Sequence, residues 1–174
     1  ASECGANIVK FQTHIAEAES LSDAPSPSYF NQESRIEYFK RTAFSFEQWV
    51  KISEHCKLRN VEFLSSPFSI EAVDLLEKIG VSSYKIPSGE VTNLPLLERV
   101  AETTKLTYLS SGMSDWKELD TAVEILGKSC QLIPMQCTSS YPCEYDSVGL
   151  NIIEEMANRY KLPVGFSDHT LGFS

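Results

Sequence analysis

The stretch Tyr84-Lys85-Ile86-Pro87-Ser88-Gly89-Glu90 ends a short apolar run in a cation, a hydroxyl and a carboxylate. Tyr84 and Ile86 suit a strand, as aromatic and β-branched residues do. No strand requires a lysine, a serine and a glutamate where it meets its loop. A small, doubly charged substrate does. Lys10 repeats the pattern inside Ile8-Val9-Lys10-Phe11. A lysine among strand residues that alternate inward is costly to bury unless an anion meets it. One such lysine can equally snorkel or pair with a structural carboxylate. Two at matching positions point to a pocket for a phosphate or a carboxylate.

Hydroxyls gather in the same way. Ser66, Ser88, Ser110, Ser139 and Ser167 all stand at the ends of apolar runs. Each alone is an ordinary loop or cap residue, and only the repetition has weight. Gly89 and Gly112 are single glycines after strands, a weak signal for a nucleotide. His169, in Phe166-Ser167-Asp168-His169-Thr170, is the best metal-ligand candidate because it lies just beyond a strand end. His14 follows the Lys10–Gln12 cluster and could approach the site, whereas His55 reads as a surface residue. No Ser-His-Asp order is present. A lysine on a strand is also the nucleophile of a Schiff-base aldolase, so that chemistry is the rival, but hydroxyls around two lysines fit phosphate binding better.

The elements that must position these residues alternate. Apolar runs cover Asn7–Gln12, Val61–Ser65, Ser83–Pro87, Leu106–Ser110, Leu132–Cys137 and Pro163–Ser167, with helical periods between them. Ser45 with Gln48 predicts a capping box opening Phe46–Arg59. Helices are also expected over Ser69–Ile79, from Asn93 and Pro95 through Thr103, over Asp115–Leu126 with Ser114 as cap and Gly127 as stop, and over Ser147–Tyr160. Ser20–Thr42 reads as a long loop with room for one short helix. Strand–helix alternation implies parallel strands. An open doubly wound sheet concentrates its site at one switch point, but a barrel draws site residues from most strand ends. Polar residues at nearly every strand end favour a (β/α)8 TIM barrel, represented here by about six of eight strands.

Composition sets outer bounds. The chain has 174 residues, 42% hydrophobic and 22% charged, enough for one domain with a sizeable core. A net charge of −9 argues against a nucleic-acid footprint, although a local lysine cluster can still hold a small anion. No apolar run is long enough for a membrane span, and no secretory signal is visible. Five cysteines in no metal or redox spacing read as buried or idle thiols of a cytoplasmic protein. Ala1-Ser2-Glu3-Cys4-Gly5 reads as the last turn of a helix stopped by Gly5. With no initiator methionine, and Ser174 following a strand and a polar loop, residues 1–174 are expected to be an internal piece of one barrel domain, or a chain given without some of its parts.

Together Lys10-Phe11-Gln12, Ser65-Ser66-Pro67-Phe68, the Tyr84–Glu90 stretch with Asn93, Ser110-Ser111-Gly112-Met113, Gln136-Cys137-Thr138-Ser139-Ser140-Tyr141-Pro142 and Gly165–Thr170 resemble, in order and spacing, the N-acetylneuraminate (sialic acid) synthase family, which includes legionaminic and pseudaminic acid synthases. The resemblance implies a barrel enzyme that condenses phosphoenolpyruvate with an open-chain N-acetylated hexosamine and releases phosphate. It implies a divalent metal, expected to be Mn2+ with Mg2+ or Co2+ as alternatives, and a homodimer. By similarity Lys10, Ser66, Lys85, Ser88, Ser110, Ser139 and Ser167 would hold phosphoenolpyruvate. Gln12, Glu90 and Tyr141 would face the sugar, and His169 would be one of two histidine ligands. Glu90 is the candidate for proton transfer or for orienting a hydroxyl. Ser66 stands where threonine is frequent, and Ser139 where some members have asparagine. The family's first strand, its last strand with the second histidine and a C-terminal antifreeze-like domain are expected to lie outside this sequence. A Schiff-base aldolase of similar fold and a non-catalytic sugar-phosphate binding domain are the other readings.

Overall fold

The computed structural model describes residues 1–21, 23, 25 and 33–172. Of the expected loop Ser20–Thr42, residues 22, 24 and 26–32 lie outside the described residues. The chain divides into two compact units, Ala1–Ser82 and Ser83–Ser174.

In the first unit a 3-10 turn, Ser2–Cys4, ends at Gly5 in the left-handed region, with φ 83°. Strand β1 (Ile8–Thr13) pairs in parallel with β2 (Glu62–Pro67), setting Lys10 opposite Leu64 and Gln12 opposite Ser66. Between them run α1 (Ala16–Glu19), α2 (Arg35–Thr42) and α3 (Phe46–Leu58), and α4 (Ile70–Ile79) follows. Ser45 opens α3 as the spacing predicts: its hydroxyl accepts from Gln48 N, and its own N–H donates to the Gln48 side chain. Ser34 and Glu37 form a second capping box on α2. The core of this unit is aromatic. Phe11 stacks on Phe63 at 5.2 Å, and Trp49 meets both edge-on at 6.0 Å. His14 lies between Phe39 and Phe68, 4.1 and 4.0 Å away, with Nδ1 2.9 Å from Glu19.

The second unit holds β3 (Ser83–Ile86), α5 (Leu94–Ala101), β4 (Leu106–Ser110), α6 (Trp116–Gly127), β5 (Leu132–Cys137), α7 (Asn151–Tyr160) and β6 (Gly165–Ser167). Each strand pairs in parallel with the next, α6 and α7 both pack on β5, and α5 packs on α6. Tyr84, Ile86, Leu109, Leu96, Leu97, Leu126 and Met156 are fully buried and form the core. Two helix ends differ from expectation. Asp115, not Ser114, caps α6, because its carboxylate accepts from Glu118 N at 2.8 Å and an anion gains more than a hydroxyl from the positive end of the helix. Gly127 belongs to the last turn and is not its stop. The final helix begins at Asn151, not Ser147: a separate 3-10 turn, Tyr145–Ser147, comes first, and Gly149 at φ 72° breaks the path.

Candidate functional site

In the second unit the parallel register decides which side chains share a face. Lys85 stands opposite Tyr108, so Ser110, two residues further along β4, projects to the same side. Ser110 in turn stands opposite Met135 of β5. The Lys85 ammonium, only 9% exposed, donates to Ser110 Oγ at 2.5 Å and lies 3.8 Å from Met135 Sδ. A buried cation aligned across three strand ends is therefore a property of the register.

The loops beyond these strands converge on Gly112. Its N–H donates to Ser88 Oγ at 3.1 Å. A Cβ at that position would lie 2.5 Å from Ser139 Oγ, 2.9 Å from the Cys137 carbonyl and 2.9 Å from Ser88 Oγ. Glycine is required here by space, not by backbone conformation. Three successive loops thus meet at Gly112, two of them presenting hydroxyls and the third a backbone N–H. The Ser88 hydroxyl also lies 3.7 Å from Cys137 Sγ. By sequence Gly112 is a weak nucleotide signal and part of the Ser110-Ser111-Gly112-Met113 motif, and neither shows that its missing side chain is what the loops require. The Ser110-Ser111-Gly112 run directly after a strand was the available clue.

Glu90 closes the 3-10 turn Ser88–Glu90, and its Oε2 accepts from Asn93 Nδ2 at 2.8 Å. Asn93 caps α5 with its own Oδ1. Glu90 is thereby tied to a helix start and half-exposed. Ser167 ends β6 opposite Cys137. Next to it, the Asp168 carboxylate accepts from Thr170 N and Oγ1, and the Thr170 backbone N–H above all holds its pKa below the usual carboxylate range. His169 is half-buried. Its Nδ1 lies 3.0 Å from the Thr138 carbonyl and 4.0 Å from Cys137 Sγ, and the Tyr141 ring lies 4.4 Å away. Tyr141 is 75% exposed.

In the first unit Gln12 and Ser66 are register partners on β1 and β2. Ser66 is fully buried, and its hydroxyl has no hydrogen-bond partner among the described residues. Such a group has an energetic cost that a ligand oxygen could relieve. Lys10 is exposed, so the argument from the cost of burying a cation holds for Lys85 and not for Lys10. His14, engaged with Glu19 between two phenyl rings, is fixed by packing, and His55 is exposed on α3. Cys56, Cys130, Cys137 and Cys143 are buried, and Cys4 is exposed. Burial pushes the Cys56 and Cys130 thiols up in pKa.

A divalent metal can be tested against these residues. A carbonyl oxygen only accepts, so the Nδ1 of His169 carries the proton in its bond to Thr138, and Nε2 keeps its lone pair. Metal-bound histidines are oriented in this way. His169 therefore fits as one donor, through Nε2. Among the described residues no group of three or more His, Cys, Asp or Glu side chains converges.

Comparison with known proteins agrees in class. The model of the NeuB family matches residues 1–174, and the chain belongs to that family. It is 35% identical to N,N'-diacetyllegionaminic acid synthase of Campylobacter jejuni over 99% of this chain and 54% of that protein. It is 29% identical to N-acetylneuraminate-9-phosphate synthase of Homo sapiens over 100% of this chain and 50% of that protein. The solved structure of N-acetylneuraminic acid (sialic acid) synthetase from Leptospira borgpetersenii, in complex with citrate, superimposes with a TM-score of 0.86 at 28% identity. It covers 99% of this chain and 58% of that one. The fold class read from the sequence, a (β/α)8 barrel represented by six strands, is borne out. The chain spans about half the length of the curated relatives it matches. Among the described residues no helix is long and apolar enough to cross a membrane.

Proposed function

We propose that this protein is a sialic-acid-type synthase: it joins phosphoenolpyruvate to an open-chain N-acetylated amino sugar and yields a nonulosonic acid and phosphate. The observation that carries this reading is the buried Lys85 ammonium held on Ser110, with the Ser88 and Ser139 hydroxyls gathered about Gly112, in a chain that belongs to the NeuB family along its whole length. Lys85 attracts the anionic donor. Ser88, Ser110, Ser139 and Ser167 give it directed hydrogen bonds without further charge. Lys10 and Ser66 are proposed to serve the same donor.

Glu90, Gln12 and Tyr141 do not suit an anion, since one is acidic and two are neutral, and they are assigned to the sugar. The charge contacts hold C3 of the enol in line with the sugar carbonyl carbon, which lowers the entropic barrier to joining them. A C–C bond forms there, water adds at C2, and the bond from C2 to the phosphate oxygen breaks as phosphate leaves. Glu90 orients a sugar hydroxyl or moves a proton. A divalent metal, with Mn2+ the expected ion, would be held in part by His169 Nε2 and would polarise the sugar aldehyde as a Lewis acid. A homodimer belongs to the same proposal.

The test is phosphate release from phosphoenolpyruvate with a panel of N-acetylated hexosamines. Release is expected only when both substrates are present. Release that ignores the sugar, or binding of phosphoenolpyruvate with no release on any sugar, would overturn it.

A further inference from the structure

The loop from Thr138 to Leu150, between β5 and α7, is fastened at both ends by side chains that the proposed chemistry does not use. Gln136, buried near the end of β5, donates from Nε2 to the Val148 carbonyl at 3.0 Å and accepts on Oε1 from Ser111 Oγ at 3.4 Å. The glycine beside it, Gly149, leaves no room for a Cβ, which would fall 2.8 Å from Gln136 Nε2. Thr138 Oγ1 donates to the Ser147 carbonyl at 2.9 Å and also reaches the Val148 carbonyl at 3.3 Å. Closed in this way, the loop meets His169 at three points. The Thr138 carbonyl receives Nδ1–H at 3.0 Å, the Cys143 N–H donates to the His169 carbonyl at 2.9 Å, and the Tyr141 ring packs against the imidazole.

We infer that Thr138 and Gln136 are positioning residues for His169: they hold the Thr138 carbonyl where it fixes the imidazole with its proton on Nδ1 and its Nε2 lone pair outward. This rests on the reading of His169 as a metal ligand given above, but the lock itself is a property of the chain without metal. A neutral imidazole has one donor and one acceptor nitrogen, and the partner of one nitrogen decides the role of the other. A backbone carbonyl can do so only if its peptide cannot rotate away. The Thr138 hydroxyl, bonded to carbonyls nine and ten residues further along the chain, prevents that rotation by tying residue 138 to residues 147 and 148.

Two readouts test this. Long-range 15N correlation of the His169 ring in metal-free protein, at a pH where the ring is neutral, should show the Nδ1–H tautomer. Thr138→Val should admit the Nε2–H tautomer, and Thr138→Ser should restore the original. In direct Mn2+ titrations Thr138→Val should weaken binding about tenfold, the size seen when such supporting partners are lost, while phosphoenolpyruvate affinity is retained. An Nε2–H tautomer in the unmodified protein would overturn the inference without any variant. So would a Thr138→Val protein with unchanged tautomer and unchanged Mn2+ affinity. His169→Ala with unchanged Mn2+ affinity would overturn the ligand assignment itself, and with it the role toward a metal, whatever the tautomer.

Discussion

Lys85 Nζ donates to Ser110 Oγ at 2.5 Å, from the middle of one strand to the end of the next, with the lysine nine-tenths buried. The pair holds a cation at the strand ends in one orientation, so its removal should be read in binding of the anionic substrate. Lys85→Met keeps length and packing but loses the charge. Phosphoenolpyruvate affinity, measured by calorimetry, should fall by roughly 1.5–3 kcal/mol. Ser110→Ala removes a neutral partner and should cost about 0.5–1.5 kcal/mol. Unchanged affinity in the methionine variant would remove Lys85 from the donor site.

Glu90 Oε2 accepts from Asn93 Nδ2 at 2.8 Å, which ties the carboxylate to the start of α5. Glu90→Gln keeps the acceptor for Asn93 and removes the charge. Turnover in the phosphate-release assay should fall while phosphoenolpyruvate affinity stays close to that of the unmodified protein. Normal turnover would end its assignment to the sugar.

Gly112→Ala inserts a methyl group between the Ser88 and Ser139 hydroxyls and the Cys137 carbonyl. Overpacking of this kind costs about 1–3 kcal/mol, read as a lowered denaturation midpoint. Adding Ser139→Ala removes the nearest of the three atoms and should recover part of the loss. A single variant as stable as the unmodified protein would show that the loops are free to part.

Asp120 accepts from Arg159 at 2.7 and 2.5 Å and from Tyr160 at 2.9 Å, and the guanidinium above all holds its carboxyl below the usual range. A depressed carboxyl contributes stability above its unfolded pKa, about 3.9, and loses it as pH falls through the lower folded value. The pair is partly exposed, so solvent screening limits it to about 0.2–1 kcal/mol. Asp120→Asn should therefore be less stable than the unmodified protein at pH 7, and the difference should begin to shrink near pH ~4 and vanish only below the lower folded pKa. A gap that persists or grows in acid would show that the loss is packing and not charge.

The strand-end chemistry was legible in the sequence because it is local. Lys85, Ser88 and Glu90 follow one another within six residues, and the apolar runs around Leu106–Ser110 and Leu132–Cys137 match β4 and β5 to the residue. Ser45 with Gln48 announced its helix for the same reason: a capping box is closed by residues three apart. The cap of α6 was missed by one position, because Ser114 and Asp115 both qualify by type and only the path of the chain decides between them.

What the sequence by itself determined, then, is the alternation of strands and helices and the side chains that stand at the strand ends, both set by periodicity and by neighbours a few residues away. The tertiary structure alone decided that Lys85 is buried while Lys10 is exposed, that Gly112 must lack a side chain, and which nitrogen of His169 is left open. Each of these depends on strand register or on loops more than twenty residues apart meeting in space. Gly112 is shaped by Ser88 and Ser139, and His169 by Thr138, partners that no local period can bring together.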